Sequence, residues 1–99
     1  MIEQVSFDTQ IKHEFSKDWV VYLYNDDITP IEFVVDILLD IFGFDKHKAI
    51  KFAYDTNDSY YGIVGKYPKK LAIARVTKAL SLARSKDYNE FRIEAKEDK

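Results

Sequence analysis

Asn25, Asp26 and Asp27 form a run of hydrogen-bond acceptors directly ahead of Thr29-Pro30-Ile31-Glu32. In that second group Thr29 fits an N-cap, Pro30 the N1 position where a missing N–H costs nothing, and Glu32 the N3 position from which a carboxylate reaches back to the cap. Such a capping box would fix both the helix start and the acidic turn before it. A primary ammonium group carries a positive charge and three N–H donors, so its partial burial demands about three acceptors with negative charge close by. The Asn25 carboxamide can accept one bond, and Asp26 a second, directly or through water. The positive end of the helix dipole would repel a cation here, and Asp26, Asp27 and Glu32 offset it. An acidic corner of this kind beside apolar side chains suits a cationic amine attached to a hydrophobic group. The same residue types also make Asx turns and caps without any ligand, and the pattern alone leaves both readings open.

The elements around this corner can be read from periodicity. Trp19-Val-Val-Tyr-Leu-Tyr24 is β-branched and aromatic throughout, which predicts a buried strand ending at the Asn25 turn. From Pro30, apolar residues at 31, 34, 35, 38, 41 and 42 repeat with the period of a helix facing a core, and Gly43 stops it. Asp45 is placed to cap a second helix through about Tyr54, with Ala49, Ile50 and Ala53 on its inner stripe. Asn57-Asp-Ser breaks that helix, and residues 60–66 read as a second strand. A long helix is expected over about 69–85, carrying Ala72, Val76, Ala79, Leu80 and Ala83 inward, then a half-solvated strand from Phe91 to Ala95. The order β-α-α-β-α-β predicts an α+β sandwich, a three-stranded, mainly antiparallel sheet covered by three helices. Residues 1–17 read as a flexible arm, 18–95 as one domain and 96–99 as a frayed end.

Ninety-nine residues suffice for one core, and 46% hydrophobic with 32% charged residues is ordinary globular composition. A net charge of −2 gives no basic footprint for nucleic acid. Acids dominate from Asp26 to Asp58, and bases dominate the stretch holding Lys66, Lys69, Lys70, Arg75, Lys78, Arg84 and Lys86, so two faces of opposite sign are expected. With no cysteine, thiolate and disulfide chemistry are excluded. No stretch is long and apolar enough to cross a bilayer, and the chain is expected to be cytoplasmic, with a bacterial-derived organelle as the alternative if a transit peptide has been removed. His13 and His47 read as surface residues, Asp26 and Asp27 diverge as neighbours on a turn, and no nucleophile, metal set or phosphate loop accompanies them. The expectation is a binding protein without cofactor or metal, not an enzyme.

Asn-Asp-Asp-Ile-Thr-Pro-Ile-Glu-Phe-Val-Val-Asp-Ile-Leu, residues 25–38, closely resembles the signature NDD-x-TPM-EFVV-x-x-L of the ClpS family, adaptors that carry N-degron substrates to Clp proteases. Agreement continues at Phe42, Ala49, Gly65, Ala72, Val76 and Ala83-Arg84, without a gap from Trp19 to about Glu90, roughly three quarters of the chain. The resemblance implies the same α+β fold, one shared with the C-terminal domain of the bacterial ribosomal stalk protein. It implies that Asn25, Asp26 and Asn57 hold a substrate's α-amine, and that Asp27, Thr29, Ile31, Val34, Ala53 and Thr56 form the pocket for its first side chain. For Val34 and Ala53 ordinary core packing explains burial nearly as well. It also implies docking of the third helix on the N-terminal domain of a AAA+ Clp ATPase, with Lys70 and Arg75 at the docking positions and the arm before Trp19 engaged during delivery. A monomer with no membrane partner is expected.

The departures from the family pattern bear on specificity. Ile31 stands where the signature has a gatekeeping Met, Ala53 replaces a bulkier wall, and Asn57 replaces a His, which keeps an acceptor but loses a response to pH near 6.5. A deeper or wider pocket is expected, tolerant of Trp or of Ile and Val. Glu90 falls where an apolar residue closes the pocket mouth, and a one-residue shift would bring Phe91 there instead. Lys70 stands where an acid is typical. The alternative function is an interaction domain of the same fold that modulates a Clp ATPase or another partner without selecting N-termini.

Overall fold

A computed structural model describes residues 18–98; the expected arm of residues 1–17 and His13 within it lie outside the described residues. In chain order the elements are β1 (Asp18–Tyr24), α1 (Ile31–Asp40), α2 (Lys46–Asn57), β2 (Tyr61–Pro68), α3 (Lys69–Ser85) and β3 (Arg92–Glu97). The strands form one antiparallel sheet in the order β2-β1-β3, so the strand that leads into the acidic turn is the central one. All three helices lie on one side of it. Val21 and Leu23 of β1, Val64 of β2 and Ile93 of β3 face a core completed by Phe33, Ile37 and Leu38 of α1, Ala49 and Ala53 of α2, and Ala72, Val76, Ala79 and Ala83 of α3. The small residues of α3 recur at the helical period and let that helix lie close on the sheet. The expected α+β sandwich is therefore the fold observed.

Several local details differ from the sequence reading, each for a physical reason. The capping box does not form. Pro30 is the N-cap, with extended backbone (ψ 139°) and a carbonyl that accepts from the Phe33 and Val34 N–H groups, and no side chain caps the helix. Thr29 is held in the preceding turn because Asp26 Oδ1 takes its N–H at 2.6 Å together with that of Ile28 at 2.9 Å. The inward residues of α1 are Phe33, Ile37 and Leu38, whereas Ile31, Val34 and Val35 are only half-buried. A helix apolar on most sides offers more than one candidate stripe, and the edge-on contacts of Phe33 with Tyr88 (5.0 Å) and Phe91 (5.2 Å) select the one that is buried.

Helix α1 ends at Asp40, and Ile41 and Phe42 fold into the core beyond it. Gly43 takes a left-handed φ of +71°, which lets the Phe44 N–H reach back to the Leu38 carbonyl at 3.0 Å. The corner is tight, as expected, and Asp45 caps α2 by accepting from the Lys48 N–H at 2.8 Å. Helix α2 runs on to Asn57, three residues past the expected Tyr54, and Ile50 points outward. Strand β3 begins after Phe91 and continues to Glu97, so Lys96 and Glu97 pair with Val20 and Trp19 rather than fraying. Glu90 is exposed and Phe91 is buried against Phe33.

Candidate functional site

Where β1 ends, the chain crosses between the start of α1 and the finish of α2, and a cleft opens at that junction. It is lined by Leu23, Tyr24, Asn25, Asp26, Thr29, Ile31, Val34, Ala53, Thr56 and Asn57, and is open to solvent, with about 320 Å³ of empty space when the solvent at its mouth is counted. Its lining combines two kinds of chemistry. Asn25, Asp26 and Asn57 form a polar rim, while Leu23, Ile31, Val34 and Ala53 supply apolar walls with the Thr56 side chain beside them.

The polar rim is held by bonds within the protein that leave acceptors available. The Asn25 backbone N–H donates to the Tyr60 carbonyl at 3.0 Å, and its side-chain Nδ2 donates to the Asn57 carbonyl at 3.2 Å. With the nitrogen end of the carboxamide fixed on α2, its Oδ1 receives no hydrogen bond among the described residues. Asp26 spends Oδ1 on the Ile28 and Thr29 N–H groups, an Asx turn that fixes the carboxylate and leaves its negative charge beside the cleft. The ligand-free account of these residues is thus partly realised, since Asp26 does build the turn. It does not consume the corner, because each carboxylate oxygen has more than one acceptor site and the second oxygen has no hydrogen bond among the described residues.

Thr29 Oγ1 is buried without a hydrogen-bond partner among the described residues, in a side chain that borders the cleft. A buried hydroxyl left unpaired is unfavourable by about 1 to 3 kcal/mol, so a ligand group that bonds it recovers that deficit. Ala53 and Thr56 are nearly fully buried, at 3% and 5% exposure, so both are as much floor as wall.

Eight of the nine expected amine and pocket residues border the one cleft. Asp27 does not: it is exposed on the turn, outside the lining. Leu23 and Tyr24 line the cleft and were not anticipated. The alternation of β1 put Leu23 on the core side, and only the location of the cleft at the strand's end reveals that the core side continues into it. Neither Glu90 nor Phe91 closes the mouth. The two expected docking residues separate: Lys70 is exposed at the start of α3, whereas the Arg75 guanidinium lies 5.0 Å over the Tyr67 ring. Five residues apart on a helix, they point about 140° away from each other and do not form one patch. Among the described residues no group of His, Cys, Asp and Glu could hold a metal, and no helix is long and apolar enough to cross a membrane.

The chain is similar to proteins of known kind over most of its length. The family model described as the ATP-dependent Clp protease adaptor protein ClpS matches residues 14–93. An ATP-dependent Clp protease adapter protein ClpS from Clostridium acetobutylicum is 35% identical over 89 residues, covering 86% of this chain and 88% of its own. Its counterpart from Herminiimonas arsenicoxydans is 42% identical over 64 residues, 65% of this chain and 63% of its own. Among solved structures, Agrobacterium tumefaciens ClpS2 bound to L-phenylalaninamide matches with a TM-score of 0.78 at 20% identity, covering 84% of this chain and 99% of that one. That last likeness concerns the fold alone.

Proposed function

The chain belongs to the ClpS family of ATP-dependent Clp protease adaptors, and from that premise we propose that its cleft binds the first residue of substrate polypeptides bearing a hydrophobic N-terminal side chain. The observation that carries this reading is the meeting, in one cleft, of free acceptors on Asn25, Asp26 and Asn57 with apolar walls from Ile31, Val34 and Ala53. A free N-terminus is a cation joined to a side chain, and the cleft offers one end to each. The α-ammonium sits against Asn25 Oδ1 and the Asp26 carboxylate, with the exposed Asn57 carboxamide as third acceptor. The side chain enters between Ile31, Val34 and Ala53, where burying a Leu, Phe, Tyr or Trp contributes roughly 2 to 3 kcal/mol. Agrobacterium tumefaciens ClpS2 is described as bound to L-phenylalaninamide, which has the same two parts, an amine and an apolar ring.

No step of this function makes or breaks a bond in the substrate. The adaptor presents what it has bound to a AAA+ Clp ATPase in the cytosol as a monomer, with α3, including Lys70, as the docking element; Arg75, stacked on Tyr67, acts there by shaping the surface more than by its charge. The test is calorimetry with a panel of short peptides that differ only in the first of twenty residues. Binding confined to Leu, Phe, Tyr, Trp and, through the reduced Ala53 wall, Ile or Val is the expected result. Equal affinity across the panel, or none for any member, would contradict it and leave the fold as a docking domain.

A further inference from the structure

The face of the sheet turned away from the helices carries a cluster of tyrosines. Tyr22 and Tyr24 of β1 alternate with the core residues Val21 and Leu23, so their rings stand on the side that none of the described helices covers. Tyr61 joins them across the strand pair at centroid distances of 5.5 and 6.1 Å, and Tyr60 meets Tyr24 edge-on at 5.9 Å. Tyr60 is 73% exposed and Tyr61 45%. Two cations from β3 lie over this group: the Arg92 guanidinium 4.1 Å from the Tyr24 ring and the Lys96 ammonium 5.6 Å from Tyr22. One carboxylate serves both, since Glu94 bonds Arg92 Nε at 3.0 Å and lies 3.5 Å from Lys96 Nζ. The Arg92 hydrogen bond holds the Glu94 carboxyl below the ordinary carboxylate range, so it stays ionised and the group keeps a net positive charge. Exposed tyrosines and arginine on a polar-rimmed face have the composition of a contact surface rather than of idle exterior.

We infer that this face takes the extended segment that follows the first residue of a bound polypeptide, and that it favours acidic side chains there. The inference rests on the cleft holding that first residue, and two observations bear on the choice of occupant. The face is continuous with the cleft: Tyr24 belongs to both, and the Asn25 N–H is bonded to the Tyr60 carbonyl. The charges are also ordered, with the Asp26 corner negative where an amine would lie and Arg92 and Lys96 positive beyond it. An extended chain advances about 3.3 Å per residue, so a peptide leaving the cleft at Tyr24 meets the two cations with roughly its third to fifth residues. Single-stranded nucleic acid also stacks on aromatic faces, but one net positive charge here and −2 over the chain give a phosphate backbone too little to follow.

The experiment is calorimetry on the full chain with three ligands: a Leu-Ala dipeptide amide, a decapeptide beginning with Leu and carrying Glu at its third to fifth positions, and the same decapeptide with Lys there. The acidic decapeptide is expected to bind roughly fivefold more tightly than the dipeptide, and the basic one more weakly than the acidic. The double variant Arg92→Glu, Lys96→Glu reverses the order of the decapeptides and leaves the dipeptide unchanged. Tyr61→Ser, at an exposed position, weakens both decapeptides and not the dipeptide, and it decides the matter if the double variant does not fold. Equal affinity of all three ligands, a folded charge variant that keeps the original order, or displacement of the acidic decapeptide by oligothymidylate would overturn this inference alone. Failure of the dipeptide itself to bind would overturn the reading of the cleft beneath it.

Discussion

Asn25, which borders the cleft, is anchored from both its backbone and its side chain, and its side-chain carbonyl oxygen is left without a hydrogen bond among the described residues. A hydrogen bond to a charged donor is worth about 2 kcal/mol, so Asn25→Ala should raise the Kd for a Leu-initial peptide by roughly thirtyfold with little change in Tm. Unchanged affinity would show that the amine lies elsewhere. That Asn25 and Asp26 border the cleft was legible in the sequence, because Asn and Asp at a turn before a helix have few other places for their polar atoms. Less legible was what each oxygen does. Asp26 spends one on its own turn, where it accepts from the Thr29 N–H and Pro30 is left as the N-cap, and capping preferences at this site pointed to the other arrangement. Asp27 was indistinguishable from Asp26 in the sequence. Only the direction of the turn separates them, and it carries Asp27 into solvent.

At the scale of elements, the width of the cleft depends on how closely β2 approaches α2. A Cβ placed on Gly62 would come within 2.5 Å of Thr56 Oγ1 and 2.8 Å of the Phe52 ring, so the strand and helix meet where only glycine fits. Gly62→Ala should push the last turn of α2 toward the cleft. Affinity for Trp-initial peptides then falls by roughly tenfold more than that for Leu-initial ones, about the discrimination one methylene gives in such pockets. An unchanged Trp-to-Leu ratio in a folded variant would show that Gly62 does not set the width. The helix corner at Gly43, the Asp45 cap and the alanine row of α3 were all legible, since each rests on local chemistry or simple period. The stripe of α1 was not. Its sides are nearly all apolar, and the tertiary partners Tyr88 and Phe91, distant in sequence, decided that Phe33 rather than Val34 goes inward. That choice is what leaves Ile31 and Val34 facing the cleft.

At the scale of the whole molecule, the proposed function divides three tasks by surface: an amine-accepting cleft at one end of the sheet, an aromatic and cationic face beside it, and α3 on the helical side. The order of elements was readable because the periods change cleanly between 2 and 3.6, whereas the pairing of Lys96 and Glu97 into β3 was not, because two charges at a chain end carry no strand signal. With no imidazole lining the cleft, affinity for a free N-terminus should stay level from about pH 6 to 7 and decline above about pH 8, as the ligand's own amine loses its proton. The proposed function has the cationic form bound, so the interaction should be present below that pKa and lost above it. The most direct measurement compares one Leu-initial peptide with a free and an acetylated amine, by calorimetry at pH 6.5. Binding of the free form with a loss of at least about a hundredfold on acetylation is the predicted result, since one cation and its hydrogen bonds are removed together. Equal binding of the two forms would contradict the claim that the Asn25–Asp26 corner reads the start of a polypeptide.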